Sequence, residues 1–245
     1  MKALHDIGRY FLMLKNMIAV PEKWGMYWKE CLRQMNNIGV GSLVIIALIS
    51  VFLGAVTSLQ FSYQLSTSFV PLYYIGYIVR DMMLIELAPT FSCLILAGKV
   101  GSNIASELGS MRSTEQIDAL EIMGVNTVSY LVAPKIIAAV FIIPFLVIIS
   151  AFLGIIGGLL AVTTSGDVPT EVFYRGLNMW FEPFNVTLML IKGVVFSFIL
   201  SSVACFQGFY VKGGALEIGA ASTRAVVNSS ILILVFDYLI VEMLL

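Results

Sequence analysis

The sequence predicts an all-α integral membrane protein: five transmembrane helices preceded by amphipathic interfacial helices. Three observations predict it. Of the 245 residues, 59% are hydrophobic and only 12% charged, against about 25% charged in soluble domains. Mean hydropathy is +0.96. The apolar residues also gather into runs of the roughly 20 needed to cross a bilayer, divided by short polar stretches.

The same composition excludes other classes. A net charge of -1 with no basic cluster gives nucleic acid nothing to bind. The single histidine, His5, leaves histidine-based catalysis without a player. Cys31, Cys93 and Cys205 are far apart in or beside apolar sequence. They read as buried free thiols, with neither a disulfide framework nor a metal site.

The amino-terminal segment is amphipathic. Leu4, Ile7, Phe11, Leu14 and Ile18 recur at helical spacing opposite Lys2, Asp6, Arg9 and Asn16 until Pro21 breaks the pattern. A second stripe sets Trp24, Tyr27, Trp28, Cys31 and Met35 beside Lys23, Lys29 and Arg33. Aromatics mixed with cations suit the headgroup layer, so residues 1–37 are expected to lie on the membrane. Packing of this segment against protein is the other reading.

Span one is predicted at about Ile38–Leu59, inside a stretch without charge from Gln34 through Val79. Span two runs from about Leu72 to Ala97, interrupted by Arg80, Asp81 and Glu86. Span three covers about Val132–Thr163. Ile136–Gly166 alone is 31 charge-free residues, so the segment must tilt, kink at Pro144 or emerge at one end. Spans four and five are placed at about Val186–Phe209 and Ala220–Leu245. Gly154 and Gly158, with Gly157 and Ala161 offset, form small-xxx-small pairs that read as packing glue. With the amino terminus inside, 11 of the 14 Lys and Arg fall on the cytoplasmic side. The carboxyl terminus is then periplasmic, and a loop near Ser165–Asn185 lies outside.

Between spans two and three lies a polar island. Ser113-Thr114-Glu115-Gln116 spells a capping box, with Ser113 at the cap. Ile117, Leu120 and Met123 then mark one face, flanked by Glu115, Asp118 and Glu121, and Gly124 ends the helix. Its apolar face must be covered by the membrane surface or by a groove on a soluble partner. Taken alone, the acids read first as a solvated face.

Ionisable groups inside spans are costly and face a cavity or a partner. Glu86 in span two, Lys192 in span four and Asp237 in span five are the candidates. An internal ion pair and a contact with a lipid phosphate are both open readings. Arg80 and Asp81, nearer the outer surface, are expected to snorkel. Phe61, Tyr63, Phe69, Tyr73 and Tyr74 lie near the outer ends of spans one and two. They are read as an interfacial belt or as the lining of an acyl-chain pocket.

The island also carries a family spelling. Ala97-Gly98-Lys99, Gly101-Ser102, Glu107-Leu108-Gly109, Met111-Arg112, Thr114-Glu115-Gln116 and Met123 resemble the signature of Mla-type permeases of MCE-associated lipid ABC transporters. The likeness continues through Ala133-Pro134, Pro144 and Ser222 to Ser230, and so covers most of the chain. Glu86-Leu87-Ala88-Pro89 is similar to the family's Glu-Leu-Gly-Pro-like motif, but Ile85 stands where an arginine is frequent. No headgroup role for that arginine carries over.

The resemblance implies residues 38–245 as a single permease domain with a cytoplasmic coupling helix near residues 102–124. It implies Glu107, Arg112, Glu115, Gln116, Asp118 and Glu121 as the coupling residues, and Lys192 and Asp237 as matching polar positions. It implies two permease copies, a cytoplasmic ABC ATPase dimer, a periplasmic MCE protein and phospholipid as cargo, in the bacterial inner membrane. This chain needs no cofactor on that reading. Gly98-Lys99 lacks the earlier glycine of a phosphate loop, because Cys93 stands there, and Val100 replaces its Ser or Thr. ATP is therefore expected to be used by the partner subunit. Two rival classes remain: an intramembrane enzyme acting on lipids, and a scaffold that does not transport.

Overall fold

The computed structural model describes residues 2–17, 24–66 and 70–244, and these form eight helices and no strand. They are α1 (Lys2–Met17), α2 (Trp24–Ser66), α3 (Tyr73–Ser113), α4 (Gln116–Ile122), α5 (Val128–Ser165), α6 (Thr170–Asn178), α7 (Pro183–Phe209) and α8 (Ala215–Leu244). Five of them, α2, α3, α5, α7 and α8, are long and apolar enough to cross a membrane. The five-helix expectation stands, with two differences. The second amphipathic stripe and span one are a single helix, α2, because no breaker interrupts residues 24–66. Likewise span two does not end at Ala97: α3 continues through the first half of the polar island to Ser113.

α2 and α5 lie along each other at backbone contact. A Cβ on Gly54 would stand 1.8 Å from the Gly154 carbonyl oxygen, and one on Gly157 would stand 2.3 Å from that of Val51. Small residues let helix backbones approach this closely, so the expected glue role of the glycines in span three holds. Buried serines pin the same contact to α3. Ser50 Oγ lies 2.7 Å from Ser150 Oγ, which accepts from Ser92 Oγ at 2.9 Å. α5 runs unbroken through Pro144 for 38 residues. At 1.5 Å per residue that is about 57 Å, well beyond a hydrocarbon core of about 30 Å, so α5 must tilt or protrude. α7 is the central helix, whereas α8 exposes most of its length.

The amino-terminal helix divides its apolar surface. Met13 is fully buried, and Tyr10, Leu14 and Met17 pack on the core. Tyr10 Oη is 2.7 Å from Ser202 Oγ, and Arg9 stacks 4.1 Å from the Tyr210 ring centroid. Burial pushes the Tyr10 phenol above its ordinary range, partly opposed by the Ser202 hydrogen bond. Ile7 and Phe11 remain exposed. One flank of this helix therefore packs on protein, and the other leaves apolar side chains uncovered. The predicted break at Pro21 and the contribution of Ile18 and Lys23 lie outside the described residues. All three cysteines are buried free thiols.

Candidate functional site

Three spans converge on one buried ammonium. Lys192 projects from α7 with no exposed surface, and its Nζ donates to Glu86 Oε2 on α3 at 2.9 Å. Asp237 Oδ1 on α8 is 2.6 Å away, a close ionic contact lacking the angle of a hydrogen bond. The third partner is backbone: Lys192 Nζ donates to the Ile85 carbonyl at 2.9 Å. Local sequence explains that last contact. Pro89 has no N–H, so it cannot supply the α-helical donor to the carbonyl four residues back, which is Ile85. The chain widens into a π-helix over Met83–Phe91, a distortion frequent at functional sites. The adjacent residues Ile85 and Glu86 thus present a carbonyl and a carboxylate to the same lysine.

Burial orders the three side chains. Lys192 is sealed, Asp237 is 11% exposed and Glu86 is 40% exposed. One cation faces two carboxylates, and Glu86 is the open arm. Sequence reasoning named all three residues but not the Ile85 carbonyl; the position of Pro89 was the available signal.

The aromatic candidates lie elsewhere. Tyr73 stands 13 residues before Glu86, about 20 Å along α3. It stacks on Tyr74 at 4.8 Å and receives Arg175 over its ring at 5.7 Å. Tyr63 is 80% exposed near the end of α2. Phe69 lies outside the described residues. A single chain therefore does not bring Tyr63 or Tyr73 to the Lys192 cluster.

Arg80 corrects its expectation. It does not snorkel: it is 3% exposed and caps the end of α6. Its Nη1 donates to the carbonyls of Leu177 and Met179 at 2.6 and 2.9 Å, and Nη2 to that of Trp180 at 3.2 Å. Asp81 balances the charge at 2.8 Å. Gly76 and Gly176 let α3 and α6 touch, a Cβ on Gly176 falling 2.0 Å from the Tyr73 carbonyl oxygen. That contact carries the negative end of α6 to the guanidinium one turn further on.

The polar island folds as a hairpin, and its predicted cap does not form. Ser113 is the last residue of α3, and Glu115 precedes α4 in the left-handed region at φ 58° with no side-chain cap. This reversal folds α4 back so that Arg112 clamps it, 2.7 Å from Asp118 and 3.6 Å from Glu121. Thr127 Oγ1 donates to Glu121 at 3.3 Å. Gly124 ends α4 as expected, at φ 81°: its N–H reaches the Glu121 carbonyl, and that of Val125 reaches Leu120. Ile117 is buried and Leu120 half-buried, but Met123 is exposed and joins Ile122 at the tip. Gln116 and Glu115 are exposed. Glu107 is not beside them; it pairs at 2.5 Å with Lys135, a buried residue at the base of α5 that sequence reasoning did not single out.

Comparison with known proteins gives this geometry a family. Residues 31–243 match the family described as Permease MlaE. A probable ABC transporter permease protein of Rickettsia bellii is 38% identical over 97% of this chain and 92% of its own length. A counterpart in Rickettsia felis is 39% identical over 99% and 93% respectively. The intermembrane phospholipid transport system permease protein MlaE of Haemophilus influenzae is 31% identical over 96% and 90%. The ABC permease assignment implies a separate ATPase partner. With its five apolar helices, this chain is a multi-pass protein of the bacterial inner membrane and belongs to the MlaE permease family of ABC transporter subunits.

Proposed function

We propose that this chain moves phospholipid between the inner membrane and a periplasmic MCE protein, powered by ATP that a cytoplasmic ATPase subunit hydrolyses. The observation that carries the reading is the Lys192 cluster, a buried ammonium whose one open arm is Glu86. A charged group at membrane depth marks a transport path more readily than a packing site. The name of the Haemophilus relative supplies the substrate class. In this scheme the amino terminus is cytoplasmic, the carboxyl terminus periplasmic, and this chain itself holds no cofactor.

Two copies form the lipid pocket between them. Supporting this, α8 leaves Thr223, Arg224 and Asn228 exposed on a spanning helix, a face expensive to leave in hydrocarbon and suited to a second copy. The lipid headgroup reaches the cluster through Glu86, while Lys192 and Asp237 hold that carboxylate in place. Tyr63, Phe69 and Tyr73 act at the outer rim, among the lipid tails.

Coupling runs through the α3–α4 hairpin. The exposed Ile122 and Met123 enter a groove on the ATPase, and Glu115 and Gln116 contact its rim. Arg112, Asp118 and Glu121 keep α4 rigid against α3, so ATPase closure displaces the hairpin as a unit. Glu107 passes that displacement to α5 through Lys135.

The test is mild-detergent purification of the tagged chain, identifying co-purifying proteins and bound lipid. An ATPase, an MCE protein and stoichiometric phospholipid are expected. A folded chain recovered alone, active on lipids without ATP, would replace transport with an intramembrane enzyme. Partners without lipid or transfer activity would leave a scaffold.

A further inference from the structure

A second polar site lies away from the Lys192 cluster. Between α2 and the second half of α3 is a cavity of about 480 Å³, within the size range of small-ligand pockets. Gln34, Asn37 and Ser42 line it from α2, and Lys99, Asn103 and Ser106 from α3. On α3 these recur at four- and three-residue spacing, while on α2 they are three and five apart, so two polar surfaces oppose each other across the gap.

The donors in this cavity have unspent capacity. Among the described residues of the lining Lys99 is the only ionisable one, and its Nζ donates to the Gly41 carbonyl. An ammonium has three donors, so further ones are available. Ser42 is fully buried, and its Oγ has no partner. Ser58 on the same helix is also unpartnered but does not line the cavity, whereas Ser50 bonds back to the Ile46 carbonyl at 2.6 Å and Ser229 to that of Ala225 at 2.7 Å. Ser42 does not, which leaves a buried hydroxyl beside the cavity. Glu30, one turn before Gln34 on α2, is already engaged: it accepts from Gln34 at 2.8 Å and pairs with Arg33 at 3.4 Å.

A cation, an unpartnered hydroxyl and three amides, with no carboxylate among the described lining residues, select an anion with several acceptor oxygens. We infer that this cavity binds a phosphate group, supplied by a phospholipid headgroup. The choice of a lipid as the source rests on the transport reading above. Lys99 lies 13 residues beyond Glu86 on α3, about 20 Å along the helix. The transporter therefore has two headgroup stations. In the proposed orientation this one faces the cytoplasmic leaflet, where it loads lipid before the Lys192 cluster receives it.

Native mass spectrometry tests this on the full chain isolated with its ATPase in phosphate-free detergent, with added dioleoyl phosphatidylglycerol. Lys99→Gln should lose one lipid adduct, its binding weakened at least about tenfold, while Lys99→Arg retains it. Asn103→Leu, at an exposed position, fills the cavity without touching the core and should lose the same adduct. Full adduct occupancy in both Lys99→Gln and Asn103→Leu would overturn the site and leave the transport reading standing. Wild-type protein that takes up no phospholipid would overturn both. Inorganic phosphate at millimolar concentration should not displace the adduct; displacement would overturn the lipid as the source.

Discussion

Replacing Lys192 with Met tests whether the charged cluster holds the bundle or serves the cargo. Met keeps much of the side-chain volume and removes the charge. The variant leaves Asp237, 11% exposed, without its counterion, which costs about 3–5 kcal/mol for a buried pair broken on one side. Glu86 adds little, since a side chain 40% exposed is largely screened by its surroundings. At about 2–4 °C per kcal/mol for a chain of this size, the midpoint of thermal unfolding should fall by about 6–20 °C. Tryptophan fluorescence at a fixed scan rate in one detergent reads it. The decisive comparison is the triple variant Glu86→Gln, Lys192→Met, Asp237→Asn, which removes every charge together. Neutralising a whole buried network is far less costly than orphaning one member, so the triple variant should regain most of the lost midpoint. If it also regains lipid transfer, the cluster is only a brace. If it is stable and inactive, the charges act on lipid. A Lys192→Met protein as stable as wild type would refute the burial argument itself.

Other outcomes follow from single contacts. Gly54→Leu should prevent assembly of α2 on α5, because its side chain would occupy the Gly154 carbonyl; loss of the monodisperse gel-filtration peak checks it. Arg80→Met should free the end of α6 and speed proteolysis near Met179 by about 5- to 150-fold, from about 1–3 kcal/mol for unsatisfied carbonyls, with little change at α4. Arg112→Gln should release α4 from α3 and lower transport-coupled ATP hydrolysis, while ATPase association, carried by Ile122 and Met123, persists. Reversal of Glu115, Asp118 and Glu121 to Lys should weaken association through the Glu115 rim contact and lower lipid transfer; intact association and transfer would remove the coupling role from this hairpin. Because burial raises the Tyr10 phenol pKa, its neutral form favours the folded state. That contribution is complete below the unfolded pKa of about 10 and is lost as pH rises through the higher folded value. Tyr10→Phe should therefore flatten the stability profile above pH 10 and cost about 1 kcal/mol at pH 7 from the Ser202 hydrogen bond.

The spans were legible because hydropathy alone dictates them: the apolar body of each predicted span proved to lie in a long helix. Lys192, Glu86 and Asp237 were legible for a related reason, since an ionisable group in such a run must find a partner. What the sequence hid were choices between two satisfactory local structures. Ser113 to Gln116 spells a cap, yet a Ser already inside α3 has helical backbone angles and cannot cap the next helix. The reversal fell instead to Glu115, a non-glycine residue in the left-handed region. Arg80 read as a snorkelling group because α6 was unseen; nine residues after Pro169 looked like loop until Gly176 met α3. The pairing of Glu107 with Lys135 joins elements 28 positions apart, which no local pattern reports.

One helix gathers nearly all of these interactions. Along α3, Arg80 holds α6, Glu86 meets Lys192, Lys99 reaches α2, Glu107 pairs with α5 and Arg112 clamps α4. A uniform α-helix of 41 residues would be a strut about 60 Å long, and any push at the hairpin would shift every contact at once. α3 is not uniform. Its π segments, Met83–Phe91 and Ala97–Gly101, fall at the Lys192 cluster and beside the Lys99 cavity. Wide turns have weaker backbone pairing and are where a helix changes register at least cost. The polar contacts at Glu107 and Arg112 lie beyond the second segment, on regular helix that moves as a body. Under the proposed coupling, hairpin displacement is transmitted rigidly as far as Gly101 and absorbed at the two proposed headgroup stations. Substitution of Pro89 with Ala restores the missing N–H and favours regular helix through Ile85. Such a protein should fold at least as stably and bind its ATPase, yet transport poorly.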